Sequence, residues 1–154
     1  MADPMITRLR KKSVEIVHAK LPELTAYPNV ITNFEVPCVM AFPPDSIRAG
    51  QTMAGGPGGG PGEVFDFGTF DVGRTLVVFT IRIYVSRTQG AGDQNTLDAY
   101  VSPDGDKSVW KIFDMNPTLD GACNNCQVVE VRNYGNWPVG SVTYLGVEIV
   151  LTAE

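Results

Sequence analysis

Apolar residues recur at every second position along TLVVFTIRIYVS, residues 75–86. Val77, Phe79, Ile81, Ile83 and Val85 share one side, because successive strand side chains point to opposite faces. The other side mixes Thr80, Arg82 and Ser86 with Leu76, Val78 and Tyr84. The pattern predicts a long strand with one fully buried face and one mixed face. In SVTYLGVEIVL, Leu145, Val147, Ile149 and Leu151 alternate with Tyr144, Gly146 and Glu148, which predicts a second such strand. CQVVEVRNY reads as its partner in an antiparallel hairpin, with about seven Gly/Asn/Trp/Pro-rich residues as the connection. EVFDF, TAYPNVI and PCVMAF read as shorter extended pieces. Pro28 and Pro37 confine the last two to a sheet edge or a strand start.

Residues 5–21 carry a helical period. Ile6, Leu9, Ser13, Ile16, Val17 and Lys20 fall on one side, while Arg8, Lys11, Lys12 and Glu15 lie mainly outside it. Pro22 ends this helix, since proline disfavours helical backbone at the residue before it. DQNTLDAYV predicts a short helix with Asp93 as N-cap and Leu97, Tyr100 and Val101 inward. Another runs from about Lys107 to Asn116, with Val109, Ile112 and Phe113 inward and Pro117 as its stop. The partial segregation of strands and helices predicts an α+β fold. A mostly antiparallel sheet of about four to five strands would carry the N-terminal helix and two short helices on one face. Residues 1–154 read as a single domain with a Gly/Pro-rich loop at about 43–62, mobile between strands and able to order against a neighbour.

Composition narrows the function classes. Hydrophobic residues make up 44% and charged residues 19%, as in folded proteins. A net charge of −5 offers no basic field for neutralising nucleic-acid phosphates, and Arg8, Arg10, Lys11 and Lys12 read as a solvated helix face. No run of about 18 apolar residues predicts a membrane span. The N-terminus lacks a secretory pattern, so a cytosolic site of synthesis is the expectation.

The candidate chemistry is sparse. Asp104, Asp106 and Ser108 around Gly105 resemble the start of a calcium loop, but an EF-hand counted from Asp104 needs glycine at its sixth position and glutamate at its twelfth. Val109 and Met115 stand there. The better reading is a Pro103-Asp104-Gly105 turn, with Asp106 or Ser108 capping the next helix. Cys123 and Cys126 form C-x-x-C, open to a zinc or redox reading, yet zinc needs about four ligands and His18 is the only histidine. Reduced structural thiols are the expectation. No H-E-x-x-H, G-x-S-x-G or P-loop occurs, and the glycines of residues 43–62 are not followed by Lys-Ser/Thr. No enzymatic activity, cofactor or metal is expected.

One resemblance covers much of the chain. Its elements are Ser86-Arg87 after the long strand, Leu97-Asp98-Ala99-Tyr100, Gly105 with Ser108-Val109, and Thr118-Leu119-x-Gly121. Asn133-Tyr134-Gly135 and Tyr144-Leu145-Gly146-x-Glu148 follow, and upstream lie Tyr27-Pro28, Pro37-Cys38 and Pro43-Pro44-Asp45-Ser46-Ile47. In order and spacing these elements resemble the tail terminator (tail completion) proteins of long-tailed bacteriophages. The stretch GGPGGGPGEVFDFGTFDVGR is longer and richer in glycine than the family's pattern, and C-x-x-C lies outside that pattern.

The resemblance implies a homo-oligomeric ring, expected to be a hexamer, at the head-proximal end of a virion's tail. The ring would end polymerisation of the tail tube protein and offer a docking surface to head–tail connector or neck proteins. Residues expected at subunit or tube contacts are Arg74, Arg82, Arg87, Asp66, Asp71, Asp93, Met53 and Phe65; for the charged ones, ordinary surface or intrachain pairing is the competing reading. The competing functions are a connector or neck protein and, from a different class, a small metal or redox protein using Cys123 and Cys126.

Overall fold

The computed structural model describes residues 4–31, 33–42, 77–87 and 91–153. The expected strand EVFDF, the Gly/Pro-rich loop and Leu76 lie outside them. In chain order the elements are α1 (Met5–Lys20), β1 (Thr25–Tyr27), β2 (Cys38–Phe42), β3 (Val77–Val85), α2 (Ala91–Val101), α3 (Val109–Met115), β4 (Cys126–Val139) and β5 (Val142–Ala153). The strands form one sheet in the order β1-β2-β3-β5-β4. Only the β1–β2 pair is parallel. This is the expected α+β architecture, mostly antiparallel with five strands.

The alternation in β3 sorts its residues as the sequence predicts. Val77, Phe79, Ile81, Ile83 and Val85 enter the main core with Val147, Ile149 and Leu151 of β5. Leu9, Val14 and Val17 of α1, Leu97 and Tyr100 of α2, and Val109, Ile112 and Phe113 of α3 pack onto this face. Each such side chain, fully buried, contributes about 1.5–3 kcal/mol. The inward face of α1 differs from the expected one: Val14 is buried, Ile16 is half-buried and Lys20 is exposed. The basic end of α1 is used within the chain. Arg10 donates to the Pro28 carbonyl at 3.1 Å and to Asn29 Oδ1 at 2.7 Å, and Lys12 lies 3.3 Å from Asp120.

Two helix starts separate cleanly. Ser108 caps α3, its Oγ accepting from the Lys111 N–H at 3.3 Å, so the 104–108 stretch is a turn and cap. Asp93 is not an N-cap. α2 begins two residues earlier, and Asp93 sits buried in its first turn, where a carboxylate suits the positive end of the helix dipole.

The terminal hairpin is longer than its sequence suggests. Gly135, Asn136, Trp137 and Pro138 are ladder residues of β4, and only Gly140-Ser141 make the turn, Gly140 with a φ of +62°. The expected connection of about seven residues is thus a two-residue turn at the end of an extended arm. Pro138 is tolerated because β4 is the edge strand of the described sheet, with no outer partner among the described residues. The last β3 residue paired with β5 is Val85, opposite Leu145, so the arm beyond it projects past the body of the sheet.

Candidate interaction face

The face of the sheet that none of the described helices covers carries a row of charge. The register aligns Arg82 of β3 with Glu148 of β5, and Glu148 with Arg132 of β4. Arg82 Nε donates to Glu148 Oε2 at 2.9 Å and Arg132 Nε to Oε1 at 2.8 Å. Asn133 Nδ2 adds a bond to Oε1 at 3.1 Å. The Glu148 side chain is only 6% exposed, against 23% for Arg82 and 12% for Arg132. Burial alone would push its carboxyl up, but the two guanidiniums outweigh burial and hold it below the ordinary carboxylate value.

Aromatic rings fix this cluster in place. Arg82 Cζ lies 3.9 Å from the Phe42 ring centroid and 4.4 Å from that of Trp137, so the cation sits between two π faces. Beside it, Phe34 stacks on Tyr84 at 5.2 Å and packs against Tyr144 at 5.0 Å. Trp137 meets Tyr84 edge-on at 6.1 Å. Cys38, Met40 and Tyr84 form the buried base of this second cluster, and burial pushes the Cys38 thiol up to about 12. Gly146 makes the close packing possible: a Cβ there would stand 2.8 Å from both Trp137 and Tyr84.

A bulge in β4 organises both sides. The register shifts between Arg132 and Gly135, with Asn133 at a φ of +56° and Gly135 at +154°. Asn133 reaches Glu148, while Tyr134 donates its hydroxyl to Asp98 Oδ1 of α2 at 2.6 Å. The Asn133 carbonyl accepts from Trp137 Nε1 at 2.9 Å.

The expected contact residues separate into three groups. Arg74, Asp66, Asp71, Met53 and Phe65 lie outside the described residues. Arg82 is at the centre of the face, with its charge committed to Glu148 in the same chain. Arg87 and Asp93 come together, lining a cleft of about 300 Å³ with Gln94, Tyr134, Asn136 and Leu145. Asp93 is buried there and Arg87 exposed. Sequence reasoning missed Glu148, Arg132 and Trp137 as members of the cluster. The available signal was a lone acidic residue on the second face of an otherwise apolar strand, in step with Tyr144 and Gly146, which calls for a cation opposite it.

The C-x-x-C pair closes the turn before β4. Cys126 donates its N–H to the Pro117 carbonyl, and Cys123 Sγ lies 3.7 Å from the same oxygen. Both are free thiols, and burial, with Cys123 nearby, pushes Cys126 up to about 12, away from the reactive thiolate. Among the described residues no group of three His, Cys, Asp or Glu side chains is placed to hold a metal ion, and no helix is long and apolar enough to cross a membrane. No family model matches the chain, and no curated protein matches it.

Proposed function

We propose that this chain is a structural ring protein of the tail-terminator kind, which caps the head-proximal end of a phage tail tube and presents a docking surface to the neck. The observation that carries the reading is convergence. Four of the sequence elements of the resemblance meet at one structural hub. Asn133-Tyr134-Gly135 is the β4 bulge, and its side chains bond to Asp98 of the Leu97–Tyr100 element and to Glu148 of the Tyr144–Glu148 element. Ser86-Arg87 directly follows β3, and Arg87 shares a cleft with Tyr134.

The hub also suits assembly. Around it lie a face that none of the described helices covers, an arm extending past β3, and exposed apolar side chains at Val129, Tyr134 and Val142. In a ring the contacts are heterologous, with one patch meeting a different patch next door. The test has two arms. Purified protein is expected to form a particle several times the mass of one chain over a concentration series. Tails assembled without it are expected to be overlong in negative-stain images. Tails of normal length that fail to attach to heads would assign the chain to the neck instead, and normal attached tails would refute both.

A further inference from the structure

A second cleft lies away from this face, between the end of α1 and α3, with a volume of about 210 Å³. Ile112 forms its apolar floor and Met115, 75% exposed, its wall. Lys20 and Lys111 line it too. Among the described residues neither lysine has an ion-pair partner, whereas Lys12, Lys107, Arg82 and Arg132 all do. Asp106 is the one acidic residue lining the cleft, which leaves one net positive charge beside an apolar wall in a chain whose net charge is −5. That combination fits a segment carrying carboxylates and large apolar side chains together: the lysines take the acids, and the adaptable methionine takes a ring.

The sequence contains such a segment. EVFDFGTFDV, residues 63–72, interleaves Glu63, Asp66 and Asp71 with Phe65, Phe67 and Phe70, and carries no cation. We propose that the Lys20–Lys111–Met115 cleft of one copy is the docking site for residues 63–72 of a second copy. The inference rests on the ring reading and gives it one heterologous contact, with a cleft on one subunit and a segment on the next.

The test is charge reversal and its rescue in the intact chain. Lys20→Glu with Lys111→Glu is expected to raise the midpoint concentration of assembly, read by sedimentation, at least about tenfold. Both lysines are exposed, and unchanged circular dichroism would show that the fold survives. Adding Glu63→Lys, Asp66→Lys and Asp71→Lys is expected to restore the wild-type midpoint. An unchanged midpoint in the lysine-reversed chain overturns the inference and leaves the ring standing. Loss of assembly without rescue assigns the cleft to another partner and also overturns it. If the wild-type chain stays monomeric throughout, the ring reading falls and the docking is read directly. A fluorescein-labelled EVFDFGTFDV peptide is then expected to bind the wild-type monomer at least about tenfold more tightly than the reversed one. Equal binding, or none, overturns the inference.

Discussion

The two faces of the sheet are made from alternate residues of the same strands, and they are held by different forces. On the helix-covered face Phe79, Ile81, Ile149 and Leu151 meet three helices, and their burial is non-directional. One residue along, Thr80, Arg82 and Glu148 turn to the other side. There stability depends on distances and angles: two guanidiniums on one carboxylate, with rings above and below one of them. An apolar core tolerates volume-conserving exchange, whereas a buried ion cluster tolerates almost no change of partner. The first face specifies that the chain folds. The second specifies a shape, which suits the assembly role proposed above.

Substitutions on the two faces can break or sharpen this contrast. The largest loss is expected from Phe79→Ala, about 3–5 kcal/mol in denaturant titration, because it leaves a cavity under three helices. Glu148→Gln comes next. It keeps the shape but strands two cations, and their partial exposure lets water recover some of the loss, leaving about 2–3 kcal/mol. A cost near zero for Glu148→Gln would mean that the cluster is surface decoration and the contrast is empty. Gly146→Ala is expected to cost about 1–3 kcal/mol by forcing Trp137 and Tyr84 apart, with a change in near-ultraviolet circular dichroism. Arg82→Lys keeps the charge but loses the planar stack on Phe42 and Trp137, for about 1 kcal/mol.

Acid sharpens the same comparison with the smallest effect. Glu148 titrates below its unfolded value of 4.5 in the folded chain. Its ionised form therefore adds stability that is fully present above that value and is lost as pH falls through the folded value. The stability gap between wild type and Glu148→Gln should be constant above about pH 5.5 and narrow below 4.5. The gap between wild type and Phe79→Ala should not follow the same curve. Parallel curves for both would show that the network contributes nothing specific.

Much of the covered face was legible from alternation alone, because period-two patterning is a property of one strand and needs no partner. The cap at Ser108 was legible for the same local reason. The charge row was not. Seeing Glu148 opposite Arg82 requires the register between β3 and β5, and seeing Arg132 opposite Glu148 requires the true length of the hairpin. Gly135, Asn136 and Pro138 have the composition of a loop, and only the edge position of β4 and its bulge let them stay in the ladder. The Arg82–Glu148 pairing similarly lay 66 residues apart, beyond any local rule. Asp93 misled because a buried acid one turn inside a helix resembles a cap in sequence.

The bulge between Arg132 and Gly135 also sets a parity. Arg132 and Trp137 are five positions apart, an odd separation that would put them on opposite sides of an unbroken strand. The single extra residue corrects the count and puts the indole on the same face as Arg132, where it covers the Arg82 guanidinium. Removing one residue there would leave an even separation and an unbroken ladder, so the arm would keep its facing but lose the bonds that Asn133 and Tyr134 make to Glu148 and Asp98. Lengthening the Gly140-Ser141 tip would shift nothing behind it. A change of length at the bulge and one at the tip are therefore not equivalent, because only the first removes contacts to the charged face.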